Sequence, residues 1–408
     1  MKAAKEETVH LQALTESPRA AANTGAADND DYDPHEHRQL PKPTNNWETL
    51  VHLLKSSLGT GILAMPQAFA RSGLITGIVA TVIAAIIITH CLHVLVRSQY
   101  AACKMHRVPQ LSYTESMRAT LVAGPSSLRP CANSAAIAVD VFLVVYQLGI
   151  CCVYIVFIAD NIKKALAPDP TVPRNTLRCT PRLPSPMDIW NSRGTTNVLP
   201  LFKGIALENN MKTPKAFGKP CGVLNVGMTI IVLLYVAVGA LGYTYCVNNC
   251  SDSITLDLPH GPLATSVIVM FAIAIFISYG LHCYVPVEVV WKGYVLPRLQ
   301  SSGAPPRRLF LAEYGLRITL CLITFVLAVA VPRLGLFISL FGALCLSALG
   351  IIFPAIMEMV LSAISKAGRS RLLLLKDIVL LFVGVVGLVA GTYTALLAIV
   401  TSFQPKVQ

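Results

Sequence analysis

Residues 50–69 read LVHLLKSSLGTGILAMPQAF. The stretch is as long as a helix that crosses the hydrocarbon of a bilayer, yet its middle holds Gly59-Thr60-Gly61 and Pro66 follows. Glycine and proline both weaken a helix. Gly59 and Gly61 are two apart, so they point to different faces and do not make one G-x-x-x-G seam. Ser57 and Gly61, four apart, leave an ordinary close helix contact as the bland alternative. A break at mid-membrane is tolerated only where the freed backbone lines a cavity or is buried in protein. In secondary transporters built this way, exposed amides of a half-helix hold an anion and freed carbonyls hold a cation. An amino acid zwitterion offers both charges. GTGILA also matches the dinucleotide fingerprint G-x-G-x-x-A, but no strand precedes it, which rejects that reading.

The rest of the chain supports a membrane setting. Of its 408 residues 54% are hydrophobic and 13% charged, with a mean hydropathy of +0.60, outside the range of ordinary soluble domains. Apolar residues fall into eight separate runs, at 48–69, 74–96, 135–158, 222–245, 263–287, 316–331, 335–361 and 377–402. Alternating barrel strands are absent, so the reading is an all-α polytopic membrane protein. Residues 1–46 are polar, contain AADNDDYDPHEHR and lack the pattern of a signal peptide; they are expected to form a disordered cytoplasmic tail. The net charge of +12 resides in loops between spans, with no basic patch interleaved with aromatics, which argues against nucleic acid. Cys91, Cys151, Cys152, Cys283, Cys321 and Cys345 lie within apolar runs as small hydrophobes. No C-x-x-C pair suggests zinc. Cys179, Cys246 and Cys250 lie in or beside loops and could pair on an oxidising side.

Lys and Arg favour cytoplasmic loops. Residues 97–134, 288–315 and 362–376 carry such clusters, whereas 246–262 hold two aspartates and no Lys or Arg. An N-terminus inside then puts the end of the third span outside, near Asp160, while the span at 222 must start inside. Segment 161–221 therefore has to cross the membrane an odd number of times. Its longest apolar pieces are NVLPLF and GIAL, and it holds ten Lys or Arg with Pro/Ser clusters. It reads as an irregular loop.

Ionisable residues in or at the ends of spans are few. His52, two turns below the break, titrates in the physiological range and is a candidate proton carrier, or else an interfacial histidine bonded to a carbonyl. Asp140 has no charged neighbour in sequence and stays open. Glu288 precedes Lys292 by four, the spacing of a plain helix pair. His90 and His93 share a face as a helix contact, and His282 lies in a later turn of its span.

HLLKSSLGTGILAMPQAF, YQLGICCVYIVFIADNI, LENNMKTPKAFGKPCGVLN and LFISLFGALCLSALGIIFPA together resemble the proton-coupled amino acid transporters of the amino acid and auxin permease group, particularly the insect members. The resemblance covers roughly 30–166 and 206–402. It implies an eleven-helix, five-plus-five inverted-repeat fold, a cytoplasmic N-terminus, and symport of small neutral amino acids with protons. It implies substrate contact for Ser57, Gly59, Thr60 and Gly61, proton coupling for His52, and a pathway lining for Tyr146 and Gln147; Asp140 and Glu288 are further coupling candidates.

Between Ala167 and Ile205 the pattern departs from the family: its fourth, fifth and most of its sixth helix have no counterpart, leaving about eight spans instead of eleven. The expected organisation is a tail over 1–46, spans one to three over 47–160, the irregular segment 161–221, five further spans over 222–402, and a C-terminal tail over 403–408. Three missing helices is an odd number, in agreement with the charge count. A regulatory or sensor protein, or a spliced form that does not transport, is the alternative function. H-E-x-x-H, G-x-S-x-G and P-loop motifs are absent, so no enzyme, cofactor or metal is expected. The expected partners are an amino acid, protons and the lipid bilayer, at the plasma membrane or a lysosomal or endosomal membrane.

Overall fold

The computed structural model describes residues 32–38, 40, 42–166, 207–246, 250–259, 261–330, 334–364 and 371–403. Among them the only β pairing is an isolated parallel bridge between Thr44 and Met211. The first span is in three pieces, α1 (Asn46–Ser57), α2 (Thr60–Leu63) and α3 (Met65–Ser72). There follow α4 (Leu74–His106), a short α5 (Tyr113–Ala123), α6 (Ala132–Leu166) and α7 (Val223–Cys246). The second half comprises α8 (Pro262–Val290), which runs through a π turn at Trp291–Val295 into α9 (Leu296–Ser301), then α10 (Pro306–Ala330), α11 (Leu334–Phe341), a π segment (Gly342–Ile352), α12 (Phe353–Ile364) and α13 (Arg371–Phe403). Seven helical stretches are long and apolar enough to cross a membrane, and the broken α1–α3 is the eighth candidate among the described residues.

Several helices outrun their apolar runs: α4 continues to His106 and α10 begins at Pro306. Hydropathy sees only the part of a helix that lies in hydrocarbon, whereas backbone hydrogen bonding continues into water. Phe276, Phe325, Phe382 and many Leu, Ile and Val side chains on α8, α10 and α13 face outward, as lipid contact requires.

The interior is built on α6, α7 and the broken span. Leu53, Met65, Phe69, Tyr146, Leu224, Tyr235 and Phe353 belong to one buried cluster. Glycines let α7 seat the broken span closely. A Cβ at Gly227 would stand 2.5 Å from Leu53 Cδ2, one at Gly239 2.9 Å from the Phe69 ring, and one at Gly242 2.3 Å from Pro66 Cγ. Small residues at such crossings are how membrane helices gain van der Waals contact without a hydrophobic drive.

The polar regions differ from the sequence reading at two places. Residues 33–44 are not a free tail: Arg38 and Thr44 bind Glu208 and Asn210. Likewise 207–217, assigned to an irregular loop, is a helical turn, a bridge and a 3₁₀ turn packed against this segment. Composition could not reveal either, because the ordering comes from one segment pairing with another far along the chain.

The flanks of residues 167–206 lie on opposite faces of the bundle. Lys164, near the end of α6, donates to the carbonyls of Thr255, Leu256 and Leu258 at 3.1, 2.7 and 2.7 Å, in the loop after α7. Asn209, before α7, donates to Leu111 O at 3.2 Å, in the loop before α5. The intervening residues, including Cys179 and the NVLPLF stretch, lie outside the described residues.

Candidate substrate site at the broken first span

The break falls at Leu58–Gly59. α1 ends with Leu58 N–H donating to Leu54 O, and Gly59 is extended at φ −98°, ψ −157°. α2 is one turn, and a second interruption at Ala64 precedes Pro66 in the first turn of α3. Proline fits there because the first amides of a helix have no intrahelical acceptor. Gly59 is not in the left-handed region, and a Cβ there would stand in ordinary van der Waals contact, 3.7 Å from Tyr154 Oη.

The freed backbone is covered by protein. Tyr235 Oη, fully buried on α7, donates to Ser57 O at 2.8 Å, while Ser57 Oγ donates back to Leu53 O at 2.8 Å. Thr60 and Gly61 are buried. Opposite the break, α6 and α8 pack closely, and Gln147 Oε1 lies 2.8 Å from His282 Nδ1 with both side chains buried. The His282 ring meets Tyr154 edge to face at 5.3 Å. Tyr146 is buried beside Gln147 within the main core. A polar track of Gln147, His282, Tyr154 and the Ser57–Gly61 backbone thus crosses an otherwise apolar interior, the setting in which polar groups mark a pathway.

The sequence-derived residues divide accordingly. Ser57, Gly59, Thr60 and Gly61 are together at the break, and Gln147 lies on the facing helix. His52 is on the exposed side of α1 with Val51 and Lys55, with no hydrogen-bond partner among the described residues. Asp140 lies elsewhere: its carboxylate accepts from Thr114 Oγ1 at 2.6 Å and from Tyr294 Oη at 2.9 Å, tying α5 and the π turn to α6. Glu288 makes a half-exposed pair with Lys292 at 2.6 Å. Tyr154, Tyr235 and His282 as site residues escaped sequence reading, since an isolated Tyr or His in an apolar run has no spacing signal. Among the described residues no group of three or more His, Cys, Asp or Glu converges as a metal-ligand set.

Above the break, on the face opposite the basic loops, Gln67 of α3 donates to Asp252 Oδ1, and Asp252 Oδ2 accepts from Gly335 N–H at 3.0 Å. The outer half of the broken span is therefore fastened both to the loop after α7 and to the start of α11. Cys246 and Cys250 in this region are free thiols.

Residues 42–168 and 204–397 match the family described as transmembrane amino acid transporter protein. The chain belongs to that family. The transporter match leaves out 169–203, the stretch where the sequence loses its apolar length. Among similar transporters is a Drosophila melanogaster protein named proton-coupled amino acid transporter-like protein pathetic, 33% identical over 441 aligned residues that cover 95% of this chain and 92% of the relative. The probable amino acid transporter skat-1 of Caenorhabditis elegans is 26% identical over 419, covering 87% and 90%. The first alignment is longer than this 408-residue transporter chain, so residues of the relative stand opposite gaps here. The protein is a multi-pass integral membrane member of an amino acid transporter family.

Proposed function

We propose that the site at the break serves proton-coupled symport of small neutral amino acids. Ser57, Gly59, Thr60 and Gly61 contact the substrate through freed backbone groups, and Tyr146 and Gln147 belong to the facing wall. His52 is the proton carrier offered, because Asp140 is held by two hydroxyls and Glu288 by Lys292, which leaves His52 as the one of these three with no hydrogen-bond or ion-pair partner among the described residues. The observation that carries the reading is the interruption at Leu58–Gly59 facing Tyr154 and the Gln147–His282 pair. The named relative in Drosophila supports the coupling ion. Uptake of labelled glycine, alanine and proline into cells expressing the chain, at acidic and neutral outside pH, tests it: accumulation that ignores the proton gradient refutes symport.

A second reading is favoured by the flanks of 167–206 on opposite faces with no apolar run of spanning length between them. On this reading the chain is a spliced or misjoined form lacking family helices four, five and most of six. It would not transport, since the partner that closes the cavity is absent and α1 leaves His52, Lys55 and Leu58 uncovered. Sequencing the transcript across residues 160–210 decides whether the join exists.

A further inference from the structure

Residues 33–38 and 42–44 are fastened to the side of the basic loops by contacts that take no part in the site at the break. Arg38 donates from Nε to Pro109 O at 3.0 Å, from Nη1 to Glu208 O at 3.2 Å and to Glu208 Oε1 at 3.1 Å, and from Nη2 to Glu208 Oε2 at 3.3 Å. The two side chains are only 3% and 4% exposed. Such a fork-to-fork pair is geometrically specific, and removing one partner leaves the other charge buried alone. Lys215 pairs with Asp33 at 2.7 Å. Thr44 N–H donates to Asn210 O at 2.8 Å and Lys212 N–H to Thr44 O at 3.0 Å. Asn45, the next residue, caps α1 together with Glu48. The inner half of the broken span is thereby tied, at its first residue, to the segment that leads into α7 and to the loop before α5. Opening the pathway inward at α1 requires this tie to let go.

We propose that residues 33–38 and 42–44 are a strap closing the side of the basic loops, with Arg38–Glu208 as its lock. The inference rests on the transport reading above. His35 Nδ1 is buried 3.6 Å from Glu208 Oε1 without a hydrogen bond, its ring stacks on Tyr100 of α4 at 4.7 Å, and its amide donates to Asp33 Oδ1 at 3.0 Å. The groups facing it are Asp33 and Arg38 of its own segment, Tyr100 of α4, and Glu208 and Lys215 of the paired segment. Burial holds the His35 imidazole well below its usual 6.5, at about 4, and the Arg38 charge adds to this. The neutral imidazole therefore favours docking, but between pH 6.5 and 4 a protonated ring would also pair with the Glu208 carboxylate 3.6 Å away, so the two act in opposite directions. Burial raises the Glu208 carboxyl, Arg38 offsetting only part of it, and a raised carboxyl favours docking as pH falls. Burial also raises Asp33, but its bond to Lys215 outweighs this and leaves it low, beneath the His35 window.

The test is amide hydrogen exchange on the full 408-residue chain in lipid nanodiscs, read at Thr44 and Lys212 and corrected for intrinsic rates. Arg38→Ala should lower protection at both amides at least tenfold and leave α4 and α5 unchanged, and the exchanged pair Arg38→Glu with Glu208→Arg should restore it. Unchanged protection in Arg38→Ala overturns the lock, as does a loss that spreads through α4 and α5. Labelled amino acid uptake by the same variants reads the transport proposal separately, because a chain that exchanges as expected but accumulates nothing refutes transport and not the strap.

Discussion

Replacing Gly242 by alanine places a methyl group 2.3 Å from Pro66 Cγ, 2.7 Å from Pro66 Cβ and 2.9 Å from Ile254 Cδ1. The proline ring cannot rotate away, so only the backbone at the start of α3 can give. Gly227→Ala on the same helix meets Leu53 Cδ2 at 2.5 Å and Leu50 Cδ1 at 3.2 Å, the ends of side chains that can swing. Overpacking costs roughly 1–3 kcal/mol, and alanine returns roughly 0.5–1 kcal/mol of helix preference over glycine. With the rigid contact at the upper end and the flexible one at the lower, Gly242→Ala loses about 2 kcal/mol net and Gly227→Ala about none. The difference is about 30-fold in the folding equilibrium. Gly280 has nothing within 4 Å, so Gly280→Ala serves as a control that is neutral or slightly stabilising. Denaturant unfolding of the three purified variants in mixed micelles, followed by circular dichroism, gives the ranking. Equal stability of Gly242→Ala and Gly227→Ala would refute the seating of Pro66 on α7 and, with it, the fixed position of the outer half of the broken span.

Asp140→Ala leaves the hydroxyls of Thr114 and Tyr294 without their acceptor and should destabilise the chain by about 1–3 kcal/mol, whereas Asp140→Asn keeps one carbonyl oxygen and should cost less; equal losses in thermal unfolding would contradict this. Lys164→Met removes the donor shared by three carbonyls of 255–258, so protease cleavage should rise in that loop and not in the loop before α5. His52→Ala should change stability by less than about 0.5 kcal/mol, as an exposed group without a partner, while a form carrying all eleven family helices should lose acid-stimulated uptake; steep pH dependence in that mutant removes His52 from the mechanism. On the second reading the 408-residue chain accumulates no amino acid, and robust proton-coupled uptake by it would sink the reading that a crossing is missing.

The broken span was legible because Gly59, Gly61 and Pro66 act through local backbone preference, which needs no partner. The membrane class and the other spans were legible too, since hydrocarbon imposes length and polarity on every crossing helix alike. The expectation of an odd number of crossings in 161–221 came from counting charges, because topology is a parity. Other features depended on contacts between residues far apart in the chain. Nothing around Asp140 in sequence names Thr114 and Tyr294 as its partners, and nothing near His282 names Gln147. Arg38 stood in what composition described as a free tail, and Glu208 in a basic loop. Only the fold brings these charges together, where burial makes an unmatched one costly and so orders both segments. Which face of α1 is covered was likewise a tertiary outcome: helical periodicity puts Leu53 and His52 on different sides, but it took the packing of α7 to bury the first and leave the second exposed.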